Sequence, residues 1–200
     1  IVLVDTGSTD DTIPIAKTFG ARICEFPWRD DFSAARNHGL LHCRGQWVLT
    51  LDADEQLDSE TTDLIRPAIS EPGRDLYYLR VLNLLPGGKT GSEVRLIRLF
   101  RNVPGTCYMG RIHEQLVQNL PSSVGGILDT RVLHYGYDPA LMAKKDKVSR
   151  NMRLLELGLA ETEQSGSVML RSAYLHYWAL GADGAEKLRR LEDFAQYAES

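Results

Sequence analysis

Trp47-Val48-Leu49-Thr50-Leu51-Asp52-Ala53-Asp54-Glu55 is an apolar run that ends abruptly in acid. The run reads as a buried strand. Residues at i and i+2 of an extended segment share a face, so Asp52 and Asp54 are expected to converge at its carboxyl end. Two anions beside a hydrophobic sheet repel each other and resist desolvation unless a positive charge sits between them. A divalent cation with oxygen ligands is the economical solution, and it would make this corner a metal-assisted site for a phosphorylated ligand.

The flanking sequence alternates. Residues 1–4 and 21–26 read as strands, and 10–19 and 32–43 as helices, the first opened by a Ser8/Asp11 capping signature. Gly45 breaks the second helix. After the strand at 46–51, residues 59–69 are expected to be helical as far as the Pro72-Gly73 breaker. Such alternation predicts an α/β fold with crossover helices, in which ligands collect beyond the carboxyl ends of the strands. Asp5 and Asp52 both fall there. Further on, 76–84 and 93–100 read as a hairpin around Pro86-Gly87-Gly88, and 127–134 as another strand. Helices are expected over 141–163, 168–180 and 185–198, with Leu155, Leu159, Leu175 and Trp178 at helical spacing. Trp178 to Gly181 is one incomplete element of the tetratricopeptide type. The expected division is therefore a catalytic α/β domain over 1–137 and a helical extension over 138–200.

Composition narrows the function classes. The chain has 200 residues, 43% of them hydrophobic, enough for one sizeable core. A net charge of -4 without a long basic run argues against nucleic-acid partners and anionic membranes. Cys24, Cys43 and Cys107 are an odd, scattered set, as expected of core thiols in a reducing compartment. No transmembrane-length apolar run or signal peptide is visible, so a cytoplasmic location is expected. The chain opens at Ile1, already inside a strand, which suggests that upstream sequence is missing. P-loop and dinucleotide-binding glycine motifs are absent.

Four segments line up in order: Val4-Asp5-Thr6-Gly7-Ser8-Thr9-Asp10, Asp31-Phe32-Ser33-Ala34-Ala35-Arg36-Asn37, Leu51-Asp52-Ala53-Asp54-Glu55 and Gly110-Arg111-Ile112-His113-Glu114. Together they resemble the family 2 glycosyltransferases of the GT-A type, bacterial members acting on lipopolysaccharide core or peptides above all. The resemblance spans about residues 1–137 and implies a GT-A-like, Rossmann-like mixed sheet. It also implies inverting transfer of a sugar from a UDP- or GDP-type donor to a glycan, lipid or peptide acceptor, assisted by Mn²⁺ or Mg²⁺. By the same resemblance Asp5, with the turn at Gly7 and Ser8, contacts the nucleotide. Asp31 lies near base or ribose, Arg36 near the diphosphate, and Asp52 on ribose or metal. Asp54 and a late His134 bind the metal. Glu114 would take the acceptor's proton, with His113 orienting it or binding phosphate; both can serve only if their segment is a loop.

Each residue also has a plainer role. Asp5 suits a turn, Arg36 a surface ion pair with Asp30 or Asp31, Glu114 a pair with Arg111, and His134 a half-buried backbone contact. His38, His42 and His176 fit helix surfaces. The acid pair alone would also suit a solvated turn or an EF-hand-like loop, although Leu57 stands where such a loop wants Gly. It would further suit an Asp-x-Asp phosphatase with Asp52 as nucleophile. A non-catalytic nucleotide- or protein-binding module, docking partners through the helical tail, is the remaining alternative.

Overall fold

Short β-branched runs set the first layer. The computed structural model describes residues 1–120, 124–136 and 147–161. Strands β1 (Val2–Asp5) and β2 (Arg22–Glu25) pair in parallel, joined across helix α1 (Thr12–Thr18). Asp11 precedes α1 without a side-chain cap bond; Asp10 accepts from the Thr12 N–H instead, at 3.1 Å. The expected Ser8 cap is therefore replaced, because Ser8 donates to Asp5. Helix α2 (Phe32–Leu40) begins at Asp31, whose carboxylate accepts from the Ala34 N–H at 2.9 Å. It lies tight on β1: a Cβ on Gly39 would come within 2.7 Å of Val4.

The second layer is a five-stranded sheet in the order β3 (Trp47–Leu49), β6 (Thr90–Arg101), β5 (Leu76–Leu84), β9 (Gly125–His134), β4 (Glu55–Leu57). Only β5 and β9 run parallel; the other pairs are antiparallel. The sheet is thus mixed, as expected for this fold class. Tyr77, Leu79 and Val81 alternate inward along β5 and meet Leu99, Val132 and Ala68 in the main core. Phe100 joins Val48 and Tyr108 in a second cluster. A small hairpin, β7 (Cys107–Met109) and β8 (Gln115–Val117), stands apart and carries residues 110–114 as its loop.

Two expected elements change. The helix predicted for 59–69 is a 3-10 turn (Thr62–Leu64) followed by α3 (Ile65–Ser70). Pro67 has no N–H and its ring clashes with the carbonyl four residues back, so regular helix cannot run through from Ser59. The acid-bearing strand stops at Leu49, and Asp52–Asp54 form a turn closed by the Glu55 N–H on the Asp52 carbonyl at 3.0 Å.

Helix α4 (Lys147–Glu161) is the described part of the tail. Its Leu154 and Leu155 are fully buried against Ile112, Trp28 and Phe32. Tyr137, His176, Trp178 and the two later predicted helices lie outside the described residues. Among the described residues, no helix is long and apolar enough to cross a membrane.

Candidate active site

Asp5 closes β1 and is buried there. Its Oδ1 accepts from the Ser8 N–H at 3.0 Å across the turn that Gly7 makes at φ 119°. Hydrogen bonds from the Ser8 hydroxyl and N–H hold its carboxyl below the usual range against the opposing effect of burial. Asp5 is therefore a fixed anion at the end of a strand, with Gly7 and Ser8 exposed beside it.

Helix α2 grips the β7–β8 hairpin at four points. Asn37 exchanges two hydrogen bonds with the Tyr108 backbone, at 2.7 and 2.9 Å. The Ser33 hydroxyl donates to the Gly110 carbonyl at 2.5 Å, and the Phe32 N–H to the Arg111 carbonyl at 2.9 Å. Arg36 makes the fourth contact: Nε donates to Glu114 at 2.5 Å. Its NH2 group donates to Asp52 Oδ1, also at 2.5 Å. Burial works against the Arg36 charge, but Asp52 and Glu114 outweigh it and raise its pKa. Neither a surface pair with Asp30 nor an Arg111–Glu114 pair forms. Arg111 instead donates to Glu161 on α4 at 2.7 Å.

Arg98 completes the cluster from the other side. Leu99 pairs with Tyr77 and Ile97 with Tyr78, so Arg98 is the extra residue of a β-bulge in β6. Bulges re-aim a side chain, and this one turns the guanidinium towards the acid turn. NH2 donates to Asp52 Oδ2 at 3.0 Å and to Glu55. Glu55, whose side chain is 2% exposed, accepts in turn from the Asp52 N–H at 2.9 Å. Burial pushes the Asp52 carboxyl up, but the two arginines hold it below its ordinary value. Three carboxylates against two guanidiniums leave one negative charge in the chain Glu114–Arg36–Asp52–Arg98–Glu55. The positive charge beside Asp52 is thus supplied by protein.

Asp54 points elsewhere. Its Oδ1 lies 3.6 Å from His134 Nε2 at the end of β9, and the Tyr135 N–H donates to its carbonyl at 2.9 Å. A Cβ on Gly136 would fall 2.5 Å from Asp54 Oδ2 and overlap His134 Nε2, so glycine keeps a cradle open between them. No group of three or more His, Cys, Asp or Glu side chains is placed to hold a metal among the described residues. A carboxylate oxygen suits Mn²⁺ or Mg²⁺, and an imidazole nitrogen beside it suits Mn²⁺ better, the remaining positions being left to water and substrate phosphates. The donor set fits such an ion.

His113 and Glu114 sit in the hairpin loop, not on a strand, which meets the condition for both to face one site. His113 is held at φ 54°, an uncommon conformation for a non-glycine residue. Desolvation by the surrounding chain lowers its pKa, with Glu114 opposing, although part of the ring is exposed.

Known proteins share this framework. Residues 1–107 match the model of glycosyl transferase family 2. The chain belongs to that family. It is 34% identical to a TPR repeat-containing protein of Synechococcus elongatus over 80% of this chain and 41% of that one. It is 29% identical to the Bacillus subtilis glycosyltransferase SunS over 78% of this chain and 38% of the relative. The chain thus spans about two fifths of these relatives' length. Among solved structures, S. aureus TarS in complex with UDP-GlcNAc superimposes with a TM-score of 0.53 at 12% identity, covering 98% of this chain and 71% of that one. That likeness supports the α/β GT-A-like fold.

The family match ends at residue 107, so Asp5, Arg36, Asp52 and Asp54 lie inside it and His113, Glu114 and His134 beyond. Arg98 escaped the sequence reading, and Glu55 entered it only as the end of the third motif, without a role. A lone cation in Leu96-Ile97-Arg98-Leu99-Phe100 was the available signal for Arg98, since an arginine in an apolar strand needs an acid partner.

Proposed function

We propose that this chain is the donor-binding and catalytic part of an inverting glycosyltransferase that uses a nucleotide-diphosphate sugar. The observation that carries this is Arg36, which joins Asp52 to Glu114 and so draws the second, third and fourth motifs into one cluster. Asp5, held ionised at the end of β1 with Gly7 and Ser8 beside it, is the acceptor for a ring N–H of the base, and Asp31 at the start of α2 would serve base or ribose. Asp52, locked by two arginines, presents a fixed rim for the ribose.

Asp54 and His134 would hold Mn²⁺ or Mg²⁺ at the Gly136 cradle. When bound, such an ion neutralises charge on the departing diphosphate. Glu114 takes the proton of the acceptor hydroxyl as that oxygen attacks the anomeric carbon. Arg36 fixes the Glu114 carboxylate in place, and His113, its neighbour in the same loop, would orient it or bind phosphate. A phosphatase using Asp52 as nucleophile is disfavoured, because both its carboxylate oxygens are engaged by guanidiniums.

TarS binds UDP-GlcNAc, so UDP-sugars are the first donors to try. Glycan, lipid and peptide hydroxyls are the acceptor classes, with the helical tail as a protein contact. Three free cysteines accord with a reducing, cytoplasmic setting. The direct test is transfer or donor hydrolysis by the full-length protein with a panel of UDP- and GDP-sugars and Mn²⁺. Activity is expected with the wild type and lost in Glu114→Gln. No turnover of any donor, or full activity in Glu114→Gln, would reject the assignment.

A further inference from the structure

Three neighbouring strands bring a polar row together beside the apolar core residues Val81 and Val132. Asn83 on β5 is the register partner of Ser92 on β6 and of His134 on β9, and His134 faces Glu55 on β4. Directly opposed residues share a face of the sheet, so Ser92, Asn83 and His134 lie side by side. Asn83 is 8% exposed, and a buried amide must find partners for both ends. Its Nδ2 donates to the Ser92 hydroxyl at 2.9 Å, which leaves Oδ1 to face His134 Nδ1 at 2.7 Å. With the amide so placed, the carbonyl oxygen can only accept, which calls for the proton on Nδ1. In a neutral imidazole the other nitrogen, Nε2, is then the acceptor. Nε2 is the atom turned to Asp54 and to the Gly136 cradle.

We propose that Asn83 is a positioning residue: with Ser92 behind it, it fixes the Nδ1–H tautomer of His134 and so presents Nε2 to a divalent cation shared with Asp54. The proposal rests on the cation site described above and adds what prepares it. Were the amide reversed, Nδ2 would donate to Nδ1, Nε2 would carry the proton, and the histidine would hydrogen-bond Asp54 instead of joining it as a ligand. Outer partners of this kind typically change metal affinity by about 10- to 100-fold when removed.

The test uses the full chain labelled with ¹⁵N. Long-range ¹H–¹⁵N correlation at pH 8 without metal is expected to show His134 protonated at Nδ1. N83L is expected to lose that preference and to bind Mn²⁺ in the presence of UDP about tenfold or more weakly, read from the free-ion signal in electron paramagnetic resonance. N83D, which keeps an acceptor oxygen at the same place, is expected to keep both properties. Protonation at Nε2 in the wild type would overturn the proposal without any variant, so it stays testable if N83L does not fold. Mn²⁺ uptake that N83L leaves unchanged would overturn the proposal while sparing the cation site. A wild type with the expected tautomer that takes up no Mn²⁺ with UDP would remove the cation site and the proposal's purpose together.

Discussion

At the scale of single residues, Arg36 decides most. Replacing it with Met leaves Asp52 and Glu114 close together without the cation between them. Removing one partner of a largely buried ion pair costs about 3 kcal/mol or more, a loss readable as a lower urea midpoint for Arg36→Met. Lys in its place cannot reach both carboxylates as the fork does, so Arg36→Lys should keep part of that stability. It should still turn over about 100-fold more slowly, because Glu114 is no longer aimed. Asp52 supplies a pH prediction. Its folded pKa lies below the ordinary value, so the unfolded chain takes up a proton first as pH falls. The stabilisation is complete above the unfolded carboxylate pKa of about 3.9 and disappears below it. The contribution of this group to the urea midpoint should therefore stay constant between pH 7 and pH 5 and fall away under pH 4, so that the midpoint drops more steeply there than in Asp52→Asn.

At the scale of elements, the Gly136 cradle between the β4 turn and the end of β9 gives a clean test. Gly136→Ala places a methyl group on Asp54 Oδ2 and His134 Nε2 while leaving the network around Arg36 intact. Mn²⁺-dependent affinity for UDP, measured by calorimetry, should fall about tenfold or more with thermal stability nearly unchanged. Affinity equal to wild type would remove this corner from donor binding. The same elements show what the sequence makes legible. β5 was readable because Tyr77, Leu79 and Val81 alternate inward without interruption. The acid turn was not, because an i, i+2 acid pair fits a strand and a turn equally well. Arg98 was hidden because its bulge breaks the period-two pattern by one residue. Glu114 was readable as a candidate base, but its partner Arg36 lies 78 positions away and only the α2–hairpin contact joins them.

At the scale of the whole molecule, the tail is part of the site's support. Ile112, one residue before His113, is buried under Leu154 and Leu155 of α4, while Arg111 pairs with Glu161 and Arg153 with Asp30 at either side. The two ion pairs have exposed members and are worth little singly; the leucines are fully buried and carry the attachment. Leu154→Ala should cost about 2–5 kcal/mol by leaving a cavity over Ile112. If α4 merely adds stability, a variant assayed well below its melting temperature should turn over normally. If α4 holds the hairpin loop in its strained form, with His113 at φ 54°, then kcat should fall while the donor KM stays put. On the proposed roles, donor binding rests on Asp5, Asp52 and Asp54, whereas proton removal rests on Glu114, whose loop packs on α4 through Ile112. Faster amide exchange at residues 111–114 in Leu154→Ala, with exchange in β5 unchanged, would locate the effect in the loop and not in global unfolding.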